Sequence, residues 1–218
     1  MFTGIILAIG KIAAIERKSG DCRLTVDTGT LDLKDTALGD SIAVNGVCLT
    51  AVELGPHYFC ADVSNETLSR TVLVTATIGS PVNLELALTP STRMGGHIVS
   101  GHVDGMGQLL EKKPDARSVR FTFKAPDNLA KYIAEKGSIC INGISLTINE
   151  VKGAQFNVNI VPYTLKDTTL ALLSVGDLVN LEVDLLARYM ERLMLGEAAA
   201  TSMGGVTEEL LQKSGFFG

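Results

Sequence analysis

Short apolar segments alternate with polar punctuation along most of the chain. SIAVNGVCLTAVE (Ser41–Glu53), HYFCADV (His57–Val63) and SPVNLELAL (Ser80–Leu88) carry β-branched and aromatic residues in alternation, and Gly, Asp, Asn and Pro separate them. The pattern predicts strands, with single turns of helix at Leu68–Leu73 and Asn128–Lys136. After Asp184 the period changes. In LLARYMERLMLG, Leu186, Tyr189, Met190, Leu193 and Met194 recur at three- and four-residue steps, a helical stripe with Gly196 as its stop. Such a stripe packs on its own domain or on another copy of the chain, and the pattern leaves both open. Beyond Glu197 the expectation is a mobile tail, with Thr207–Gln212 as a further turn of helix and Phe216 and Phe217 as exposed aromatics.

The strand pattern is written twice. VNGVCLTA (Val44–Ala51) returns as INGISLTI (Ile141–Ile148), placing Asn142 97 positions after Asn45. The same spacing aligns Gly4 with Gly101, Phe59 with Phe156, Thr67-Leu68 with Thr164-Leu165, and GSPVNLEL (Gly79–Leu86) with GDLVNLEV (Gly176–Val183). The register never slips, so this is a tandem duplication with loop lengths preserved. The period exceeds that of solenoid repeats, which reach about 50 residues, and so implies duplicated domains. Evenly spaced short strands make each copy a small closed barrel or a sandwich. The boundary falls in the polar TPSTRMGG between Leu88 and His97, giving units 1–90, 97–185 and a helix with its tail at 186–218.

Composition narrows the function. A chain of 218 residues that is 46% hydrophobic and 20% charged builds real cores, and a net charge of -5 disfavours nucleic acid or an anionic membrane as partner. The opening MFTGIILAIG is apolar, but its first cation, Lys11, follows the apolar run instead of preceding it, which speaks against a signal peptide. No run reaches the roughly 18 apolar residues of a membrane span. Cys22, Cys48, Cys60 and Cys140 show no C-x-x-C spacing, as expected of reduced thiols in the cytoplasm. Phosphate loops, dinucleotide fingerprints and serine-hydrolase elbows are missing.

Two stretches carry candidate chemistry. On a strand Cys48 and Thr50 share one face and Val47 and Leu49 the other, and Ser145 and Thr147 repeat the polar pair in the second copy. A polar pair is also how the wet side of a half-buried sheet reads, although Cys suits that side poorly. GGHIVSGHVDG (Gly95–Gly105) brings His97 and His102 among glycines, where an imidazole approaches a ligand closely and titrates near neutrality. A histidine that caps a turn reads the same way. No third ligand stands at a spacing that would make the pair a zinc site. His57 beside Tyr58 reads as a surface turn.

Taken in order, MFTG, S-I-A-V-N-G-V-C-L-T, S-N-E-T-L, M-G-G-H-I-V-S-G-H-V-D-G and N-G-I-S-L-T resemble the riboflavin synthase family from Met1 to about Asp184. The resemblance implies an all-β fold of two tandem six-stranded Greek-key barrels plus a C-terminal α-helix, and a homotrimer joined through those helices. It also implies a reaction in which two molecules of 6,7-dimethyl-8-ribityllumazine dismutate to riboflavin and 5-amino-6-ribitylaminouracil, with no cofactor and no metal. Lumazine synthase is a candidate partner. The implied working site joins the first barrel of one subunit to the second barrel of a neighbour.

Carried over by position, the resemblance assigns lumazine binding in the first barrel to Gly4, Ile5, Ile6, Cys48, Leu49, Thr50, Asp62, Val63, Ser64, Asn65, Glu66 and Thr67. The second set is Gly101, His102, Val103, Lys136, Ser145, Leu146, Thr147, Asn159, Ile160, Val161, Pro162, Tyr163 and Thr164. Donor and acceptor must behave differently, so the positions where the copies differ are the mechanistic candidates: Cys48 opposite Ser145, Ile5 opposite His102, Gly39 opposite Lys136, Glu66 opposite Tyr163. Cys48, or a water beside it, is expected to add to the acceptor's C7 with Ser41 as neighbouring donor, and His102, Ser145 and Thr147 to assist proton transfer at the donor. Asn142 and Tyr163 depart from the family's usual residues and are expected at the rim of the second pocket. Two rivals stand beside this reading. One is a protein that binds lumazine or flavin without turnover. The other is a flavin-reductase barrel, which would need a nicotinamide motif.

Overall fold

The computed structural model describes residues 1–18 and 21–200; Thr207–Gln212, Phe216 and Phe217 lie outside the described residues. β1 (Ala8–Lys18), β2 (Asp21–Asp27), β3 (Ser41–Val44), β4 (Val47–Leu54), β5 (Tyr58–Val63) and β6 (Pro81–Leu86) close an antiparallel barrel in the order β1-β2-β5-β4-β3-β6. β7 (Gly105–Asp115), β8 (Ser118–Lys124), β9 (Ser138–Ile141), β10 (Ile144–Lys152), β11 (Gln155–Ile160) and β12 (Leu178–Val183) close a second barrel in the same cyclic order. Closure decides between the barrel and the sandwich that the strand pattern left open.

Each strand of the second barrel begins 97 residues after its counterpart. The irregularities repeat too. Bulges at Ile12/Ala14 and Ala51/Glu53 return at Leu109/Glu111 and Ile148/Glu150. An extra residue bends and twists a strand, which a barrel this small needs in order to close. Asn45-Gly46 and Asn142-Gly143 join β3 to β4 and β9 to β10 with positive φ at both residues, the two-residue turn that matches strand twist.

Inward-facing side chains fill two separate cores. The first holds Ile12, Leu24, Val26, Ile42, Phe59 and Leu84; the second holds Leu109, Phe121, Phe123, Ile139, Phe156 and Leu181. In the second, three rings stack, with centroids 6.1 Å apart for Phe121–Phe123 and 5.8 Å for Phe123–Phe156.

The expected turn at Leu68–Leu73 is a helix α1 (Asn65–Arg70) followed by a 3-10 turn (Val72–Thr75). Ser64 caps α1 by accepting from the Thr67 N–H. Its counterpart α2 (Pro162–Asp167) opens on Pro instead. The turn expected at Asn128–Lys136 is 3-10, over Asp127–Tyr132, and stops early because Ile133 is already extended. The stripe after Asp184 forms α3 (Leu185–Met194), and Gly196 with φ 53 begins a 3-10 turn through Ala200.

Between the barrels lies a buried polar network with two-fold repetition. The Asn83 N–H donates to Asn45 Oδ1 at 2.8 Å, and its side-chain amide donates to the Asn142 carbonyl at 2.9 Å. The Asn180 N–H donates to Asn142 Oδ1 at 2.7 Å, and its side chain donates to the Asn45 carbonyl at 2.9 Å. Asn83 Oδ1 then accepts from Thr169 N–H and Asn180 Oδ1 from Val72 N–H, each at 2.8 Å. Buried amides so fully engaged hold one barrel in one orientation on the other. Asn142 therefore belongs to this buried network, not to a pocket rim.

Candidate functional site

The segment before the first strand of each barrel is anchored on its own barrel and reaches across to the other. Phe2 pairs with Val99, and beyond that bridge the two segments part. The Ser145 N–H donates to the Gly4 carbonyl at 2.8 Å, and the Cys48 N–H donates to the Gly101 carbonyl at 2.8 Å. Ile6 packs on the second core and Val103 on the first. The expected grouping of Gly4, Ile5 and Ile6 with Cys48, and of Gly101, His102 and Val103 with Ser145, is thus corrected: the straps are exchanged. The close approach explains the glycines. Gly4 and Gly101 have φ 75 and 83, and an added Cβ would stand 2.6 Å from the Cβ of Ser145 or Cys48.

Two matching but unlike sites result. In the first, β4 turns Val47, Leu49 and Ala51 inward and leaves Cys48 half-exposed and Thr50 exposed, beside the strap bearing exposed His102. Cys48 also leans on a small apolar cluster of Phe2, Ala43, Val99 and Cys140. Asp62 and Glu66 stand exposed and paired, Asp62 with Arg23 at 2.7 Å and Glu66 with Arg70. The Arg23 guanidinium pulls the Asp62 carboxyl below its ordinary value. Ser64, Asn65 and Thr67 follow at the start of α1.

In the second site Ser145 and Thr147 face outward from β10 while Ile148 is buried. Ser145 Oγ is hydrogen-bonded to Nδ1 of His97 at 2.7 Å. The Nε2 of His97 is buried without a protein partner. Burial pushes this imidazole below its ordinary pKa, and the charge of Asp184 pulls it partly back. Asn159, Val161, Pro162 and Tyr163 are exposed where β11 leads into α2, whereas Ile160 is buried in the core. Tyr163 is 76% exposed, and its hydrogen bond to Asp167 raises its phenol. Lys136 is exposed and holds φ 62, at the place where the first barrel has Gly39 with φ 92.

The imidazole that touches Ser145 is His97, whereas His102 lies on the strap beside Cys48. The repeat hides this. His102 has Ile5 as its counterpart, whereas His97 precedes the second copy's first matched residue and has none. The glycines around it were the available signal: a Cβ on Gly96 would stand 2.7 Å from that of Ser145. Ser41 pairs with Thr50 across β3 and β4 and lines a cavity of about 490 Å³ with Thr3, Ile5, Glu85 and Arg93.

The chain matches the lumazine binding domain family twice, over residues 3–87 and 100–184. It is 47% identical over 216 residues to a riboflavin synthase of Photobacterium phosphoreum, covering 99% of both chains. It is 44% identical over 216 residues to that of Actinobacillus pleuropneumoniae, covering 99% of this chain and 100% of the relative. With that of Schizosaccharomyces pombe it shares 42% over 202 residues, 89% of this chain and 94% of the relative. Among solved structures, LumP complexed with riboflavin superposes with a TM-score of 0.77 at 26% identity, covering 84% of this chain and 99% of that one.

Proposed function

The chain belongs to the riboflavin synthase family of duplicated lumazine binding domains, and we propose that its two unlike sites divide that family's reaction between an acceptor and a donor. The activity is the dismutation of two 6,7-dimethyl-8-ribityllumazine molecules to riboflavin and 5-amino-6-ribitylaminouracil. A reaction between two copies of one molecule needs two similar pockets that treat their occupants differently. What carries the reading is the exchange of straps. One architecture is built twice, but with Cys48 and His102 in one copy and Ser145 and His97 in the other.

In the first site Cys48, or a water beside it, adds to C7 of the acceptor, with Ser41 and His102 as neighbouring donors. Leu49, Thr50 and Asp62 to Thr67 complete the pocket. In the second, the Ser145–His97 pair and Thr147 serve the donor, whose 7-methyl proton is acidic because the carbanion delocalises into an electron-poor ring. Stabilising that anion asks for placed hydrogen bonds more than for a strong base. Gly4, Ile5 and Ile6 line this site from the strap, and Lys136, Leu146 and Asn159 to Thr164 surround it. Holding the two rings face to face replaces a bimolecular encounter, and such positioning contributes roughly 7–11 kcal/mol.

The facing sites are brought together between the first barrel of one subunit and the second barrel of its neighbour. The exposed stripe of Leu186, Tyr189, Met190, Leu193 and Met194 on α3 supports a homotrimer formed through these helices. The free cysteines support a reducing, cytoplasmic setting, and lumazine synthase is the candidate partner in a larger assembly.

The test is to mix the purified chain with the lumazine and follow riboflavin absorbance, expecting one riboflavin for every two lumazines consumed. A pteridine held stoichiometrically without turnover would favour a binding protein instead, the alternative raised by the likeness to LumP complexed with riboflavin.

A further inference from the structure

Two buried carboxylates stand behind the exchanged straps. Glu85 on β6 is 4% exposed and Glu182 on β12 is 5% exposed. Neither forms a salt bridge with a cation among the described residues. Glu85 Oε1 accepts from the Thr3 N–H and the Thr3 hydroxyl, both at 2.6 Å, and its Oε2 accepts from the Gly4 N–H at 3.0 Å. Glu182 repeats the pattern 97 residues later. Its Oε1 accepts from the Ser100 N–H at 2.6 Å and the Ser100 hydroxyl at 2.7 Å, and its Oε2 from the Gly101 N–H at 3.0 Å.

Each clamped strap then reaches a reacting residue through its next carbonyl. Glu182 holds Gly101, whose carbonyl accepts from the Cys48 N–H at 2.8 Å. Glu85 holds Thr3 and Gly4, whose carbonyls accept from His97 N–H at 3.2 Å and Ser145 N–H at 2.8 Å. Both members of the Ser145–His97 pair thus hang by their backbones from a segment that one carboxylate fixes. A buried carboxylate without a cation is costly, and a neutral residue fills such a volume more cheaply. What a carboxylate adds is acceptors only, at two oxygens, which suits three converging donors as no uncharged side chain does.

We propose that Glu85 and Glu182 are positioning residues for the reaction, Glu182 setting the Cys48 site and Glu85 setting the Ser145–His97 site. The proposal rests on the division of labour given under the proposed function. It predicts that the two, although equivalent by repeat, fail in different ways. An isosteric Gln keeps one acceptor but turns an N–H₂ toward the glycine N–H, so the strap shifts while the barrel stays filled.

The experiment compares wild type, Glu85→Gln and Glu182→Gln by riboflavin formation, by exchange of the lumazine 7-methyl protons with D2O followed by proton NMR, and by thermal melting. Both variants are expected to lose about tenfold or more in kcat, since small misplacements cost that much or more. Exchange, which reports the donor alone, is expected to slow to a similar degree in Glu85→Gln and to stay within about twofold of wild type in Glu182→Gln. Should a Gln variant melt before assay, Thr3→Val and Ser100→Ala each remove one donor from the clamp and are expected to show the same split at several-fold. Wild-type kcat in both Gln variants, or exchange lost equally in both, overturns the proposal. A wild type that binds lumazine yet forms no riboflavin overturns the functional reading itself, an outcome visible before any variant is made.

Discussion

Cys48 and Gly101, one from each half of the chain, are joined by a backbone hydrogen bond of 2.8 Å, and the same bond joins Ser145 to Gly4. Both glycines adopt positive φ with no room for a Cβ. Gly4→Ala and Gly101→Ala therefore meet two penalties at once, a left-handed backbone and a collision. Each is expected to cost about 2 kcal/mol or more in stability and to abolish riboflavin formation. Urea unfolding with parallel turnover checks this, and an alanine variant with normal stability and activity would contradict the packing described.

Lys136 occupies a left-handed conformation that its counterpart assigns to Gly39. Lys136→Gly should relieve about 1 kcal/mol of backbone strain, while removing the ammonium proposed to face the donor lumazine. Melting temperature is expected to hold or rise as KM rises. A variant less stable than wild type with unchanged KM would remove Lys136 from the site.

His97 is neutral at pH 7, because burial lowers its pKa below the ordinary 6.5 more than Asp184 restores it. A depressed pKa contributes stability that is present above 6.5 and lost as pH falls through the folded value. Turnover is therefore expected to persist on acidification past 6.5 and to fail only below, when the imidazole charges beside Ser145. His97→Gln should lower kcat about tenfold and flatten that acid limb. A pH–rate profile decides, with the imidazole signal titrated by NMR alongside.

Burial pushes the carboxyls of Glu85 and Glu182 above the ordinary 4.5, against the pull of their strap hydrogen bonds and, for Glu182, of His102. The thiol of Cys140, itself raised by burial, feels both charges. The sign is opposite to that of His97. Their stabilising contribution is complete below 4.5 and is lost as pH rises through the folded values. The urea midpoint of wild type should decline over that range more than that of a Glu85→Gln/Glu182→Gln double variant. Equal slopes would show that these carboxyls are not perturbed.

Asn83 ties a turn of the other barrel to its own. Asn83→Ala strips the Asn142 carbonyl and the Thr169 N–H of partners in a buried interface. The expected cost is about 2–4 kcal/mol. Equilibrium unfolding measures it, and a loss below about 1 kcal/mol would mean that water re-enters the cleft.

Much of this was legible in the chain. The 97-residue register carried strand for strand into the barrels, down to paired bulges, because identical alternation and identical turns close identical sheets. The outward faces of Cys48, Thr50, Ser145 and Thr147 followed from the two-residue period of a strand. The stripe after Asp184 was legible as α3 for the same kind of reason. His97 was not, because its partner Ser145 lies 48 residues away and no local pattern records that pairing.

Alternation, turn residues and repetition are properties of neighbours along the chain, and they sufficed to dictate two β domains of one design with Cys in one and Ser in the other, while closure into barrels was decided by the fold. Which strap lies on which barrel is a question about distant segments. It was answered by packing Ile6 into one core and Val103 into the other, and by two buried carboxylates that hold the crossing in place. Sequence spacing is the same whether the straps cross or not, so only the folded molecule distinguishes the two.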